Sequence, residues 1–476
     1  MASNYDYDLC VIGGGSGGLS VAAAASQLGA SVVLLENGKM GGDCLNYGCV
    51  PSKALIAAGK AAYAQTHSAK YGVAPVKPKI DFRQVHRHIH GVIASIEPLD
   101  SQERFEGLGV RVIREAGSFI DEGTISVAGE QIQARRFVVA TGSSPGAPPI
   151  PGLDRVPYQT NETIFDNKTL PKELIIIGGG PIGMEMAQAH ARLGSNVTVL
   201  EAFTPLGKDD PELTKFVLSR VIEDGVRILS GVKINNVSHK KKEGFELDCE
   251  YRGSRQIVKG TDLLVAAGRT PNVKGLDLER AGIEFTKRGI KVNKGMRTTN
   301  KRVYAIGDVA GGLQFTHMAN YHAGLVVRHA LFGLPVKENT QHIPWVTYTD
   351  PELANVGLSE EQAREQHGSN IRILRWPFAE NDRAQAERKA EGLVKAIVTP
   401  KGKILGAAIV GANAGELIHV WSLAVSTGMN IKSFTGYVVP YPTLGEVSKR
   451  AAITHFSGLA SNKWIQLAMK IRKMFG

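Results

Sequence analysis

The sequence predicts an α/β protein with two Rossmann-like domains and a third domain of another kind, on two observations. A β-type run, a glycine loop, an Ala-rich helical stretch and a second β-type run follow one another over residues 7–36, and the same order returns over residues 174–201. Beyond residue 338, strand-like and helix-like stretches alternate without any such loop. At roughly 150 residues per domain, a chain of 476 residues also suits about three folded units.

The first unit runs from the strand at residues 7–12 into Gly13-x-Gly15-x-x-Gly18, then a helix to Leu28 and a strand at residues 31–36 that ends on Glu36. Each part has a physical task. The first glycine makes a tight turn, the second lets backbone approach a pyrophosphate, the third lets helix pack on strand, and the helix N-terminus stabilises phosphate charge. Glu36 stands where a carboxylate accepts hydrogen bonds from a ribose. A helical segment follows at residues 82–105, then short strands ending in Phe137-Val138-Val139-Ala140-Thr141-Gly142, and the Pro-rich residues 145–151 mark a boundary. The second copy, Gly178-x-Gly180-x-x-Gly183 with Glu201, repeats every feature in place. Two complete sites in one chain imply two different dinucleotides. Glu201 favours NADH over NADPH, because a carboxylate binds the free 2′-hydroxyl and repels a 2′-phosphate; Lys208 reads as an ordinary loop lysine. Residues 263–268 repeat the strand-then-glycine ending, residues 303–308 give another strand closing on Gly307-Asp308, and residues 335–338 read as a linker.

Composition narrows the class. There are 54 glycines, about 11% against a typical ~7%, with no collagen period, so they mark specific turns. Four cysteines rule out a disulfide-stapled secreted scaffold and suit a reducing cytoplasm. The first apolar stretch is broken by five glycines and preceded by Asp6 and Asp8, which fits neither a signal peptide nor a membrane span. The net charge of +11 comes without a nucleic-acid-binding module, so no nucleic-acid partner is expected.

The segment Gly41-Gly42-Asp43-Cys44-Leu45-Asn46-Tyr47-Gly48-Cys49-Val50-Pro51-Ser52-Lys53 decides the reaction class. Two thiols five positions apart, just before Pro51 at an expected helix start, can close a small ring against a helix N-terminus, the end that lowers a thiolate's pKa. A zinc site needs four ligands, and no second Cys or His pair lies at suitable spacing. A stored metal and two unrelated buried thiols are the alternatives; the favoured reading is a redox-active disulfide that accepts two electrons, with no metal.

On these residues the chain resembles the class I pyridine nucleotide-disulfide oxidoreductases, the group of dihydrolipoamide dehydrogenase, glutathione reductase and mercuric reductase. The resemblance rests on both fingerprints, the Cys44 to Lys53 segment, Ala140-Thr141-Gly142, Ala267-Gly268-Arg269, Gly307-Asp308 and Tyr348-Thr349-Asp350-Pro351-Glu352. It implies FAD on the first fingerprint and NAD(P)H on the second, with Gly42, Thr141, Gly142 and Gly268 among the residues that hold them. It divides the chain into an FAD domain (residues 1–150 and 275–338), an NAD(P) domain (151–274) and a C-terminal α+β dimerisation domain (339–476) that makes an obligate homodimer. Asp308 would hydrogen-bond the ribityl chain, and Lys53 would pair with Glu185 near the flavin N5. Hydride from the nicotinamide would reach the disulfide by way of the flavin, with Cys49 as the thiolate nearer the ring and Cys44 as the interchange thiol that meets substrate.

One motif departs from the pattern. Disulfide-reducing relatives end in a His-Pro-x-x-x-Glu type segment supplied by the partner subunit; here the stretch is Pro440-Tyr441-Pro442-Thr443-Leu444-Gly445-Glu446. A phenol with a reference pKa near ~10, against ~6.5 for imidazole, is a poor base at neutral pH. Glu446 is placed to accept its hydrogen bond; the alternative reading is a tyrosine that merely fills the imidazole's volume. Mercuric reductases resemble this chain in that tyrosine and in Phe378-Ala379-Glu380-Asn381-Asp382-Arg383-Ala384, and a soft metal ion binds thiolates without needing an imidazole, yet no cysteine follows Cys249. The leading substrate reading is a small thiol, disulfide or lipoyl-type molecule, as in dihydrolipoamide dehydrogenase; the alternatives are a metal ion or other small electron acceptor, and a membrane-docked electron-transfer partner.

The last reading comes from the tail. Trp464, Leu467, Ala468, Ile471, Met474 and Phe475 recur at helical spacing among Lys463, Lys470 and Lys473, so residues 463–475 form a basic amphipathic helix suited to an anionic surface at the inner membrane face, or to its own dimer. His86, His88 and His90 lie on a polar helix where His86 and His90 share a face; the expectation there is solvated histidines.

Overall fold

A computed structural model describes residues 5–459 and 462–474. The chain forms two units: one comprises the chain up to Ser68 with Ala74–Phe203 and Val226–Asn339, the other Ala69–Val73, Thr204–Gly225 and the chain from Thr340.

The first unit carries both strand-loop-helix copies. Strands Val110–Ile113, Val32–Leu35, Tyr7–Ile12 and Glu130–Val139 lie side by side, all parallel. The long strand Glu130–Val139 pairs antiparallel with Thr124–Val127 over its first residues and parallel with Val303–Ala305 over its last. Leu9, Cys10, Val11 and residues 32–35 are essentially inaccessible, because parallel strands covered on both faces need continuous apolar runs. The second copy builds the parallel sheet Arg227–Ser230, Asn196–Glu201, Glu173–Ile177, Asp262–Val265. Helix Pro181–Leu193 opens on proline, whose fixed φ and missing N–H suit the first helical position. The helical segment expected over residues 82–105 is two helices, Phe82–Asp100 and Gln102–Gly107. Ser101 is extended between them, and its hydroxyl accepts from the Arg104 N–H, capping the second.

The second unit is an antiparallel sheet in the order Trp345–Thr347, Glu352–Gly357, Ile404–Gly411, Leu393–Val398, Arg372–Pro377. Helices Ala414–Ser426 and Glu446–Ile453 cover it around Trp421, which stacks on Phe434 with ring centroids 4.3 Å apart and donates its indole N–H to Ser448. Helix Pro211–Glu223 belongs to this unit, anchored by the buried Lys395 ammonium, which lies 2.6 Å from Asp210, 2.9 Å from Glu212 and 2.6 Å from Glu360. A lysine 3% exposed survives burial because three carboxylates meet its three donors.

Candidate active site

The two glycine loops are near-copies in three dimensions. Gly13 and Gly178 have φ +112° and +111°, a region that L side chains avoid, and a Cβ on either would press on a carbonyl, that of Ala140 at 2.5 Å or Ala266 at 2.6 Å. A Cβ on Gly18 would overlap the Gly13 oxygen, as one on Gly183 would overlap that of Gly178. The middle glycines differ: nothing lies within 4 Å of a Cβ at Gly180, and only Gly42 at 3.8 Å for Gly15. Turn and packing contacts are thus closed while the middle glycine keeps backbone accessible, as a pyrophosphate requires. Each loop also binds its strand-end acid. Glu36 accepts from the Gly14 and Gly38 N–H groups, and Glu201 accepts from Gly179 at 2.6 Å and Phe203 at 2.8 Å.

The first loop touches the cysteine segment directly: the Gly41 N–H donates to Gly14 O at 2.9 Å, and Gly15 and Gly41 form a bridge. Gly42, at φ +60°, packs so closely that a Cβ there would lie 2.7 Å from the Gly15 Cα. Cys44 sits in the short helix Gly42–Asn46, and Cys49 is the first residue of helix Cys49–Thr66, two positions earlier than Pro51 suggested. Both are free cysteines.

Their environments push the two thiols apart. A hydrogen bond with Cys44, one with Thr316 and the nearby Lys53 charge outweigh burial and the Asp43 carboxylate, lowering the Cys49 pKa to about 6. Cys49 Sγ and Thr316 Oγ1 are 3.3 Å apart. The helix N-terminus beneath Cys49 acts in the same direction. Cys44 is pushed up by its bond with Cys49 and by burial. Cys10, buried in the first strand with no such help, is also pushed up.

Lys53, one turn along the same helix, places Nζ 2.9 Å from Glu185 Oε2 on helix Pro181–Leu193, joining the cysteine helix to the second loop's helix. The Glu185 side chain is 6% exposed. Asp308, Ser143, Arg269 and Asp43 form a polar cluster: Ser143 Oγ donates to Asp308, Arg269 Nε donates to Ser143 Oγ at 2.7 Å, and Arg269 lies 3.2 Å from Asp43. Burial raises the Asp308 pKa. Thr141 Oγ1 donates to Asn272 O at 2.8 Å, the Asn272 N–H returns a bond to Gly142 O, and Gly268, at φ +119°, receives the Gly146 N–H. Thr141, Gly142 and Gly268 therefore meet through the short pairing of Ser143–Pro145 with Arg269–Pro271.

Tyr441 and Glu446 lie in the second unit, and here the structure corrects the expected pairing. Tyr441 donates to Asp382 Oδ2 at 2.8 Å, while Glu446 opens helix Glu446–Ile453 and faces Arg450 on its own helix at 3.9 Å. Glu446 adds only its charge to the phenol's surroundings, and Asp382, the first residue of helix Asp382–Ala386, takes the hydrogen bond.

Two family models cover the chain. Residues 7–323 match pyridine nucleotide-disulphide oxidoreductase, and residues 343–452 match the dimerisation domain of the same enzymes. The chain belongs to the pyridine nucleotide-disulphide oxidoreductase family. It is 36% identical over 454 residues to a mercuric reductase of Bacillus cereus, covering 95% of this chain and 72% of that one. It is 33% identical over 455 residues to a dihydrolipoyl dehydrogenase of Geobacillus stearothermophilus, covering 93% and 94%. The Cu(II) complex of the HOCl-induced flavoprotein disulfide reductase RclA from Escherichia coli superposes with a TM-score of 0.81 at 28% identity, covering 92% of this chain and 98% of that one. Membership makes this chain a flavoprotein oxidoreductase that uses FAD and a nicotinamide nucleotide, and the dimerisation domain supports a homodimer.

Sequence reasoning missed Thr316, Ser143 and Asp382. Thr316 is 267 residues from Cys49 and carries no local motif; Asp382 lay within the quoted mercuric-reductase-like stretch, the one signal that pointed near it.

Proposed function

We propose a homodimeric, NADH-dependent flavoenzyme in which the Cys44–Cys49 pair passes electrons to a small thiolate-binding acceptor, of which Hg(II) and Cu(II) are the model ions. The observation that carries this is Tyr441 donating to Asp382: that bond and the Asp382 charge raise the phenol's pKa, so a proton-bearing donor takes the sequence position at which disulfide-reducing relatives carry a base. Mercuric reductases among the relatives and the Cu(II) complex of RclA agree with an acceptor of this kind.

Gly13, Gly15, Gly18, Glu36, Gly42, Thr141, Gly142 and Asp308 would hold FAD, and Gly178, Gly180, Gly183, Glu201 and Gly268 the nicotinamide nucleotide; the closed outer and accessible middle glycines fit that assignment. When bound, FAD supplies the relay that turns a nicotinamide hydride into an electron pair at a disulfide. Lys53, held by Glu185, orients its charge toward Cys49. With that electron pair and one proton the bridge would open to the Cys49 thiolate and the Cys44 thiol. One Hg(II) or two Cu(II) would bind the Cys49 thiolate, displace the Cys44 proton, take the pair and leave as one Hg(0) or two Cu(I), and the bridge re-forms. Glu201, fixed by Gly179 and Phe203, favours NADH.

An acceptor panel of lipoamide, glutathione disulfide, Hg(II), Cu(II) and quinone, run with NADH and NADPH, tests the reading. The expected result is the highest kcat/KM for a metal ion with NADH. Lipoamide turnover above that of both ions would make the protein a dihydrolipoamide-dehydrogenase-type enzyme instead.

A second reading concerns location. Helix Lys463–Lys473 presents every described residue to solvent, with Trp464 at 79% and Met474 at 80% exposure. Lys463, Lys470, Arg472 and Lys473 carry its charge and no acidic residue offsets them. Phe475 lies outside the described residues. No helix among the described residues is long and apolar enough to cross a membrane. Such a helix suits the plane of an anionic lipid surface, with basic residues at the headgroups and apolar ones below. Co-sedimentation with anionic vesicles should fall when residues 462–476 are deleted; equal partitioning of both forms would remove this reading.

A further inference from the structure

We propose that His86, His90 and Asp166 form a surface site for one divalent transition ion, distinct from the redox pair. His86 and His90 are four residues apart on helix Phe82–Asp100, so both imidazoles leave the same face, with ring centroids 4.2 Å apart. Two imidazoles alone give half a ligand set. The third ligand comes from a different segment: the turn Ile164–Asp166 packs on this helix and places Asp166 Oδ1 3.4 Å from His90 Nε2. One donor atom from each of the three residues falls within 4.8 Å of the others.

That spacing matches the chemistry. Metal bonds of about 2.0–2.2 Å to imidazole nitrogen and carboxylate oxygen put neighbouring donors of a tetrahedral ion about 3.4 Å apart. The His90–Asp166 edge already has that length, and all three donors fall within 4.8 Å of one another. Two nitrogens and one oxygen with an open fourth position suit Zn(II) or Cu(II) better than the oxygen-seeking Mg(II) or Ca(II). His90 Nε2 also lies 3.3 Å from the Phe165 carbonyl, so binding exchanges that contact for a metal bond. An ion here would tie the turn at residues 164–166 to a helix that itself packs on Cys49–Thr66.

The test uses oxidised holoenzyme, in which the Cys44–Cys49 bridge offers no thiolate, with Zn(II) alone as the calorimetric probe. One Zn(II) per protomer is expected, weakened more than about tenfold by His86→Ala or His90→Ala and less by Asp166→Asn. Zn(II) should raise the thermal midpoint of the wild type but not of the His86→Ala/His90→Ala protein. Cu(II) at substoichiometric loading should show two nitrogen couplings by electron paramagnetic resonance, and one in His86→Ala. Flavin content equal to wild type confirms that the variants are folded. Undiminished Zn(II) uptake by the double variant, or no uptake by the wild type at millimolar Zn(II), overturns the proposal.

Discussion

The Tyr441 phenol and the Asp382 carboxylate are joined by a 2.8 Å hydrogen bond within the C-terminal unit. The neighbouring acid raises the phenol's pKa above its ordinary value, so the side chain keeps its proton through the physiological range. Tyr441→His should raise lipoamide turnover by about 10²-fold, the low end of what a positioned base contributes. Steady-state rates with lipoamide decide it, and unchanged rates would show that the tyrosine is not what limits disulfide chemistry.

Cys49 should titrate near pH 6 in the reduced protein. Its folded pKa is depressed from 9.0 to about 6, so the thiolate is present above about 6, and the stability it contributes is complete above about pH 9 and lost as pH falls from there toward 6. The rate of Cys49 alkylation by iodoacetamide against pH should show a midpoint near 6. Lys53→Met should move that midpoint upward, since the lysine charge is one cause of the depression.

Lys53→Met should also lower global stability, by roughly 1–3 kcal/mol, because the buried Glu185 carboxylate loses the cation facing it. The figure sits below that for a fully buried pair because the Lys53 side chain is 38% exposed. Urea denaturation of holoenzyme measures it; a loss below a few tenths of a kcal/mol would mean that the pair positions the helices without stabilising them.

Glu201→Ala should shift the NADPH to NADH ratio of kcat/KM toward NADPH by about tenfold, by removing a carboxylate that its own glycine loop holds in place. The matching change at Glu36 should reduce flavin retention and leave that ratio alone. A Glu201→Ala ratio equal to wild type would place the discrimination elsewhere.

Acid should loosen the C-terminal unit through Glu212. Hydrogen bonding to Arg375, with further help from Lys395, lowers this carboxyl from 4.5 to about 2. The stabilisation is therefore complete above about pH 4.5 and lost as pH falls from there toward 2. Thermal midpoints measured across that window should fall in the wild type, and Arg375→Gln should start lower and change less steeply.

The two strand-loop-helix units, their strand-end acids and the cysteine segment at a helix start were legible along the chain. These are local: Gly13 and Gly178 are required because the turn they make has positive φ, and Cys49 meets a helix N-terminus because both belong to one short stretch. The pairing of Lys53 with Glu185 was legible only through family resemblance, since 132 residues separate them. Folding in three dimensions sets which side chain answers which across the chain: Thr316 beside Cys49, Asp382 in place of Glu446 for Tyr441, and Asp166 beside the His86 and His90 face. The physical reason is that backbone conformation and periodicity depend on near neighbours. A hydrogen bond or ligand edge between distant segments depends on how helices and turns pack, and no spacing in the chain encodes that to within an ångström.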